Sequence, residues 1–274
     1  MDLSNENILH IKRDGFEYLQ FKRLNEYPEI KHAYILKPLD LRSHNENDVV
    51  ANYKAIFDDL NISIEKLTRP IQKHTNNVEI IENKKKQNEP DIYMDYLDNV
   101  DGLITSKENI TLATTNADCI LFLIYDPVKK VIANVHSGWR GTFQKIVKVA
   151  IEKMILTYGS SAEDIIVCIC PSIRKCHFEV DEDVKQECEE IFEYTGRLNE
   201  FIECIGEKEG KIKYVIDTVL INKIVLNDLG IKEENIVDSG ICSYCSRELV
   251  HSRRGDGLDF GLGSAIIGRL GDVH

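Results

Sequence analysis

Residues 133–143, ANVHSGWRGTF, combine a histidine, two glycines, an arginine and the only tryptophan of the chain. An apolar strand that ends at His136 places an imidazole where it can bind a metal ion or move a proton. Gly138 and Gly141 allow the backbone to turn sharply after the strand. Arg140 follows in that turn, where its guanidinium can bind phosphate or carboxylate. The segment therefore predicts a metal or proton-transfer site beside an anion site.

The preceding hairpin is expected to bring a thiol to the same place. Residues 119–136, CILFLIYDPVKKVIANVH, contain two apolar runs separated by a short turn with proline. If Asp126 faces Lys129, the same register pairs Cys119 with His136. Directly paired side chains have Cβ atoms roughly 4.5–5.5 Å apart, which lets a thiolate and an imidazole share one metal ion or one proton. A slip by one residue would place them on opposite faces.

Four segments of the chain resemble the laccase-domain family, also called multicopper polyphenol oxidases and later reassigned as zinc-dependent purine nucleoside phosphorylases. The resemblance implies a metal site made of His74, Cys119 and His136. It is carried by QKHTNNV (72–78), NADCILFLIYDP (116–127), VHSGWRGT (135–142) and CSYCSRELVHSRR (242–254), together with CPSIRKCHFEVDEDV (170–184).

The implied ligands fit zinc chemistry. Two imidazoles and one thiolate suit Zn²⁺ better than copper, and three protein ligands leave a position for water or substrate. The resemblance implies phosphorolysis of purine nucleosides (adenosine, inosine, methylthioadenosine) to free base and ribose 1-phosphate, with adenosine deamination as a second activity. Cys119, His136 and Arg140 are the candidate catalytic residues of that reaction. The partners expected are therefore a purine nucleoside and phosphate.

Four residues are candidates for binding these substrates. Arg140 with Arg253 and Arg254 would hold phosphate, because a planar guanidinium donates two hydrogen bonds to its oxygens. Gln72 lies two residues before His74 and shares its face in an extended segment, from which it can hydrogen-bond a purine or a ribose.

Other functions stay open at this point. Cys119 with His136 as its base also describes a metal-free thiol hydrolase or amidase, in which His74 would be dispensable. Copper-dependent polyphenol oxidation follows from the older family name, but several copper sites need more clustered histidines. In a non-catalytic binding protein the zinc would be structural, with a fourth protein ligand. Cys242 and Cys245 suit a redox pair or a second metal, but no partner pair follows them, which favours local structure.

Structural roles are the alternative for single residues. Cys119 is then a small buried apolar residue, His136 a strand-end histidine bonded to backbone, and Arg140 part of a surface ion pair. Asp118 adjoins Cys119 but points to the opposite face, which favours a turn or capping role over that of a general base.

Composition and charge exclude several classes of partner. The 274 residues are 43% hydrophobic and include 46 acidic and 34 basic residues, a net charge of −12. This charge repels nucleic acid and anionic membranes, so neither is expected as a partner. The chain has no apolar run long enough to span a bilayer, and its polar start does not resemble a signal peptide. We therefore expect a cytoplasmic protein, with a monomer favoured, whose eight cysteines are not paired as structural disulfides.

The hydrophobic periodicity predicts a mixed α/β (α+β) fold. We expect a single domain over residues 1–274, built as a sandwich of mixed sheets flanked by helices. Residues 82–91 suggest a solvated loop, and Asn47 or Asp48 a helix cap. Helices are predicted over 47–60, 141–158, 181–194 and 217–229, and strands over 67–71, 78–81, 102–104, 110–114, 119–125, 131–136, 165–170, 214–217 and 236–241.

Overall fold

The computed structural model describes residues 1–42, 46–63, 67–82 and 93–271, which form sixteen β-strands and seven α-helices. The strands are β1 (Ile8–Arg13), β2 (Phe16–Phe21), β3 (Ile30–Ile35), β4 (Leu67–Ile71), β5 (Val78–Ile80), β6 (Tyr93–Asp98), β7 (Gly102–Thr105), β8 (Thr111–Asn116), β9 (Ile120–Asp126), β10 (Val131–Ser137), β11 (Ile166–Ile169), β12 (Glu179–Val180), β13 (Ile202–Lys208), β14 (Lys211–Ile216), β15 (Ile236–Asp238) and β16 (Gly263–Arg269). The helices are α1 (Glu46–Leu60), α2 (Trp139–Phe143), α3 (Ile146–Tyr158), α4 (Glu182–Phe192), α5 (Leu198–Phe201), α6 (Thr218–Asp228) and α7 (Arg253–Asp256).

Two large sheets pack face to face between helices. The first has the strand order β1-β2-β3-β16-β8-β4-β6, and the second has the order β15-β11-β9-β10-β7-β5. One apolar core lies between the sheets, a second lies between the first sheet and α1, and a third lies between the second sheet and helices α3 and α6. Both sheets contain parallel and antiparallel pairs. The predicted sandwich of mixed sheets flanked by helices is confirmed.

The central hairpin of the second sheet is buried on both faces, which explains its continuous apolar sequence. On β9, Leu121 and Leu123 point into the core between the two sheets, whereas Phe122 and Ile124 point toward helices α3 and α6. On β10, the Asn134 side chain crosses to the first sheet, where its amide donates to the carbonyls of two strands at 2.7 and 3.0 Å. This polar bridge fixes how the sheets, and the residues at their ends, lie relative to each other.

The predicted hairpin is present, but its predicted register is wrong by two residues. Asp126 pairs with Val131 rather than facing Lys129, and His136 pairs with Leu121. The turn takes four residues because the Asp126 carboxylate accepts two backbone N–H groups inside it, at 2.8 and 2.9 Å. A slip by two residues keeps every side chain on its face, so Cys119 becomes a diagonal neighbour of His136.

Further differences from the sequence prediction concern helix ends and the chain's outer parts. The helix predicted over 141–158 is two helices, because Lys145 between them has a left-handed backbone with φ of 56°. Asn47 and Asp48 lie inside α1, which begins at Glu46, rather than at its cap. The sequence pattern did not predict strands β1–β3, β6, β13 and β16. Residues 83–91 of the predicted loop lie outside the described ranges. None of the described helices is long and apolar enough to cross a membrane.

Candidate metal centre

Three side chains from separate parts of the chain meet where the two sheets adjoin. His74 follows β4 of the first sheet, while Cys119 directly precedes β9 and His136 lies near the end of β10, both in the second sheet. Their possible ligand atoms all lie within 4.8 Å of one another. Cys119 Sγ is 3.8 Å from His74 Nε2, and the two imidazole rings are 4.9 Å apart at an angle of 83°. The structure thus brings together the three residues that the sequence suggested as ligands.

The backbone around this cluster is shaped for close approach. His74 has a left-handed backbone with φ of 61°, which turns its imidazole back toward the second sheet. A Cβ atom on Gly138 would lie 2.6 Å from His74 Cδ2 and 3.2 Å from Cys119 Sγ. Any larger residue at position 138 would therefore displace the side chains of the cluster. This close approach explains the first glycine of the GWRG segment.

A fully buried carboxylate, Asp101, holds both histidines. Its Oδ1 accepts the His136 Nδ1–H at 2.8 Å and the His74 backbone N–H at 3.0 Å. Its Oδ2 accepts the backbone N–H and the hydroxyl of Thr75, each at 2.8 Å. With Nδ1 of His136 bonded to Asp101, Nε2 is the nitrogen left for a metal. Sequence reasoning missed Asp101, because only the pairing of β7 with β10 brings it beside His136.

The cluster favours an ionised thiol. Burial opposes ionisation of Cys119, but the charge of His136 and hydrogen bonds from both histidines lower the pKa of the thiol below its usual value. Burial likewise opposes the charged form of His136, but the thiolate and Asp101 raise its pKa. Burial opposes ionisation of Asp101. The hydrogen bond and charge of His136, together with the hydrogen bonds from Thr75, nevertheless lower the pKa of Asp101 to about 2. The thiolate is the form that binds metals and attacks electrophiles.

The donor set fits a divalent zinc ion. A thiolate and two imidazoles are ligands that Zn²⁺ favours, and Asp101 behind His136 is the carboxylate partner that metal-bound histidines usually have. Three protein ligands would leave room for a water or substrate ligand on such an ion, and all three residues line the cleft.

The cleft has a volume of about 930 Å³ and a basic and aromatic lining. Arg140 lies over the ring of Trp139, with its guanidinium carbon 4.0 Å from the ring centre. Arg253 and Arg42 both lie against the Phe260 ring, at 5.7 and 5.0 Å. Sequence reasoning missed Arg42 and Phe260, and no local pattern marks them. Among the described residues, the lysine and arginine side chains that line the cleft are Arg42, Lys73, Arg140, Arg253 and Arg254.

Two of the predicted substrate-binding residues line the cleft but already have protein partners. The Gln72 amide accepts the backbone N–H of Thr115 and donates to its carbonyl, both at 2.8 Å. The Arg254 guanidinium donates to the carbonyl oxygens of His177 and Glu179, at 2.9 and 3.1 Å. These bonds hold Gln72 against β8 and hold Arg254 across the wall of the cleft.

Asp118 anchors the segment that carries the paired arginines, in line with its predicted structural role. Its carboxylate accepts the hydroxyls of Ser243 and Ser252, at 2.6 and 2.7 Å. It also accepts the backbone N–H of Arg254 in the first turn of α7, at 2.7 Å. Asp118 itself has a left-handed backbone with φ of 86°. The turn that positions Cys119 is thereby tied to the wall of the cleft.

The chain is similar to proteins of one known family. The family model described as multi-copper polyphenol oxidoreductase laccase matches residues 37–269. Purine nucleoside phosphorylase YlmD from Bacillus subtilis is 28% identical over 229 residues, which cover 83% of this chain and 80% of that protein. Adenosine deaminase RL5 from an unknown prokaryotic organism is 30% identical over 202 residues, 74% of each chain. The crystal structure of Bacillus licheniformis hypothetical protein YfiH has a TM-score of 0.85 and 24% identity, covering 97% of this chain and 100% of that one. This chain belongs to the multi-copper polyphenol oxidoreductase laccase family.

Proposed function

We propose that this protein is a zinc-dependent enzyme that cleaves purine nucleosides with phosphate, giving the free base and ribose 1-phosphate. The observation that carries the proposal is the convergence of His74, Cys119 and His136 in a cleft lined with arginines. A relative named purine nucleoside phosphorylase supports the choice of substrate. A relative named adenosine deaminase supports deamination of adenosine as a second activity.

Zinc is the metal we propose for this cluster. When bound, it would supply Lewis-acid chemistry toward an oxygen atom of a substrate or of water. Polyphenol oxidation with several copper ions fits less well, because such sites are rich in histidine. In the described part of the chain, the cluster that lines the cleft contains only two histidines, His74 and His136.

The arginines are the proposed phosphate ligands. Contacts with aromatic rings favour the cleft positions of Arg140 and Arg253 without neutralising their charge. Two preorganised guanidinium groups can hold the phosphate dianion in a defined orientation, which lowers the entropic cost of its attack on the nucleoside. Arg254 adds charge while its bonds to two carbonyls keep that wall of the cleft in place.

The remaining lining suits a purine nucleoside. The ring of Phe178 also lines the cleft and offers an aromatic surface on which a base can stack. A volume of about 930 Å³ is at the upper end of ordinary ligand pockets, with room for a nucleoside and phosphate together. The free state of all eight cysteines suits a reducing compartment such as the cytoplasm, where nucleosides and phosphate would be the substrates.

A metal-free thiol hydrolase is the second candidate, because one observation favours it. The Cys119 thiol interacts with the His136 imidazole, which is bonded in turn to the Asp101 carboxylate. This arrangement of thiol, imidazole and carboxylate activates cysteine nucleophiles. In that enzyme Cys119 would attack a carbonyl carbon, and His74 would at most orient the thiol.

The deciding experiment measures phosphate-dependent release of base from adenosine, inosine and methylthioadenosine, together with the zinc content of the purified protein. We expect ribose 1-phosphate as the second product, and we expect His74→Ala to lose phosphorolysis together with the zinc ion of the His74, Cys119 and His136 cluster. A His74→Ala variant that hydrolyses an amide substrate as fast as the wild type, without phosphate, would favour the thiol hydrolase. Release of no base from any of the three nucleosides by fully zinc-loaded protein would rule out the proposed substrate class.

A further inference from the structure

A second cluster of side chains that could bind a metal lies apart from the His74, Cys119 and His136 cluster. Cys176, His177, Cys242 and Cys245 place four possible ligand atoms within 4.8 Å of one another. We propose that these four residues bind a second zinc ion, and that this ion is structural. The sequence favoured only a local role for Cys242 and Cys245, because no partner pair follows them. The partner pair instead precedes them in the chain by more than sixty residues.

The distances within this cluster match those of a tetrahedral zinc site. Zinc bonds of about 2.3 Å to sulfur and 2.0–2.1 Å to nitrogen imply about 3.8 Å between two sulfur ligands and about 3.6 Å between sulfur and nitrogen. Cys176 Sγ lies 3.6 Å from Cys242 Sγ and 4.0 Å from Cys245 Sγ. The Nδ1 atom of His177 lies 3.1, 3.9 and 3.5 Å from the three sulfurs.

A disulfide explains the arrangement less well. The sulfur atoms of Cys176 and Cys242 are 3.6 Å apart, whereas a disulfide bond is about 2.05 Å long. A disulfide would also use two of the three cysteines and leave His177 without a reason to face them. A tetrahedral ion uses all four donor atoms, and three thiolates with one imidazole form a common ligand set of structural zinc sites.

Both pairs of ligands are held in place before any ion binds. The His177 ring stacks on Tyr244, with ring centres 4.0 Å apart and planes at 20°. A backbone N–H to carbonyl bond of 3.0 Å from Ser246 to Cys242 closes the turn that brings Cys245 near Cys242. A parallel bridge between Ser172 and Cys242 joins the two segments. Little chain entropy would therefore be lost when an ion binds.

The ion would tie together two segments of the cleft wall. One segment carries Ile173 and Phe178, and the other carries Arg253 and Arg254; all four line the cleft. The Arg254 guanidinium already donates to the carbonyl of His177, one of the four ligands. With four protein ligands such a site has no position for substrate, so its contribution is to fix the shape of the wall and to stabilise the fold.

The test counts zinc ions in the full chain, purified under reducing conditions and loaded with zinc. We expect two ions per chain in the wild type and in Cys204→Ser, which removes an exposed cysteine outside both clusters. Cys245→Ser and Cys119→Ala should each retain one ion, and the double variant none. The melting temperature of Cys245→Ser should fall by roughly 5–10 °C, because an ion bound only by the folded state no longer stabilises it.

A second measurement on the wild type covers the case in which Cys245→Ser fails to fold. Zinc should protect Cys176, Cys242 and Cys245 from alkylation, as mapped by mass spectrometry, and Cys204 should react whether or not zinc is present. The proposal is overturned if the wild type binds one ion that Cys119→Ala removes. Equal alkylation of the three thiols with and without zinc, or a Cys176–Cys242 disulfide in the zinc-loaded protein, would also overturn it.

Discussion

The two Cys/His clusters use the same donor atoms but differ in number and surroundings. The cluster of His74, Cys119 and His136 has three side chains that could bind a metal ion, a carboxylate behind it and an open cleft in front. The second cluster has four such side chains, from Cys176, His177, Cys242 and Cys245, and it lies where two loops meet. A fourth protein ligand fills the position that a substrate needs. The number of ligands therefore separates a site suited to chemistry from a site suited to holding the chain.

The ligand types differ in a second way that bears on anions. Zinc with one thiolate and two neutral imidazoles keeps a net positive charge, whereas zinc with three thiolates and one imidazole has a net negative charge. Only the first attracts phosphate. Arg140 and Arg253 lie in the cleft that the first cluster lines. The charge of a zinc ion there and the charge of the two arginines would therefore both favour phosphate.

Replacing Cys119 by alanine should have the largest effect on activity. The variant keeps two imidazoles but loses the only anionic ligand, so we expect zinc to leave this cluster and phosphorolysis to fall by on the order of 1000-fold. The second cluster should keep its zinc. Measuring kcat/KM and zinc content of Cys119→Ala beside Cys204→Ala tests this. Full activity in Cys119→Ala would show that the cleft does not depend on the thiolate.

Gly138→Ala should disturb the open cluster without removing a ligand. The new Cβ would lie 2.6 Å from His74 Cδ2, so the imidazole must shift, and a misplaced catalytic group can cost about 100-fold in rate. Gly141→Ala is the matched control, because its Cβ would have no neighbour closer than 3.4 Å. The kcat and zinc affinity of both variants are measured. Equal behaviour of the two would mean that the close approach at position 138 has no functional role.

Asp101→Asn should weaken zinc binding at the open cluster by about 10–100-fold, the usual effect of losing a partner of a metal-bound histidine. The amide nitrogen of asparagine cannot accept the N–H and the hydroxyl of Thr75 that Oδ2 of Asp101 accepts, so the loop that carries His74 also loosens. Asp98→Asn, whose carboxylate is half exposed and binds only the Lys73 ammonium in the described structure, is the control. Both variants are titrated with zinc to measure their affinity for the ion. Equal zinc affinities in Asp101→Asn and Asp98→Asn would contradict this role of Asp101.

Arg140→Lys should raise the KM for phosphate by about tenfold and also lower kcat, because lysine keeps the charge but loses the planar pair of donors that orients the phosphate. Arg197→Lys, in an exposed ion pair with Glu200, should have no effect. Initial rates at varied phosphate concentration test the prediction. An unchanged KM for phosphate in Arg140→Lys would place the phosphate elsewhere in the cleft.

The smallest expected effect is a difference in the rate at which a chelator removes the two ions. The open position lets a chelator reach the first ion directly, whereas four protein ligands must be displaced from the second. Activity should therefore be lost earlier than thermal stability during incubation with a chelator. Simultaneous loss of both would show that the clusters do not differ in access.

Parts of the fold followed from local sequence. The apolar runs of β9 and β10 predicted a hairpin, and helical spacing predicted α1, α4 and α6 within a few residues. The register was missed because the Asp126 side chain organises a four-residue turn that no hydrophobic pattern reveals. Strand β16 was missed because it is a central strand in which glycine and arginine interrupt the apolar pattern.

The sequence by itself determined which donor atoms were available and the class of fold that carries them, because residue type and periodicity are local properties. The tertiary structure decided which of these donors meet. Asp101 reaches His136 only through the pairing of β7 with β10, and Cys176 reaches Cys242 only through two loops brought side by side. Ligand number depends on contacts between distant segments. The distinction between an open and a closed site therefore appears only when the chain is folded.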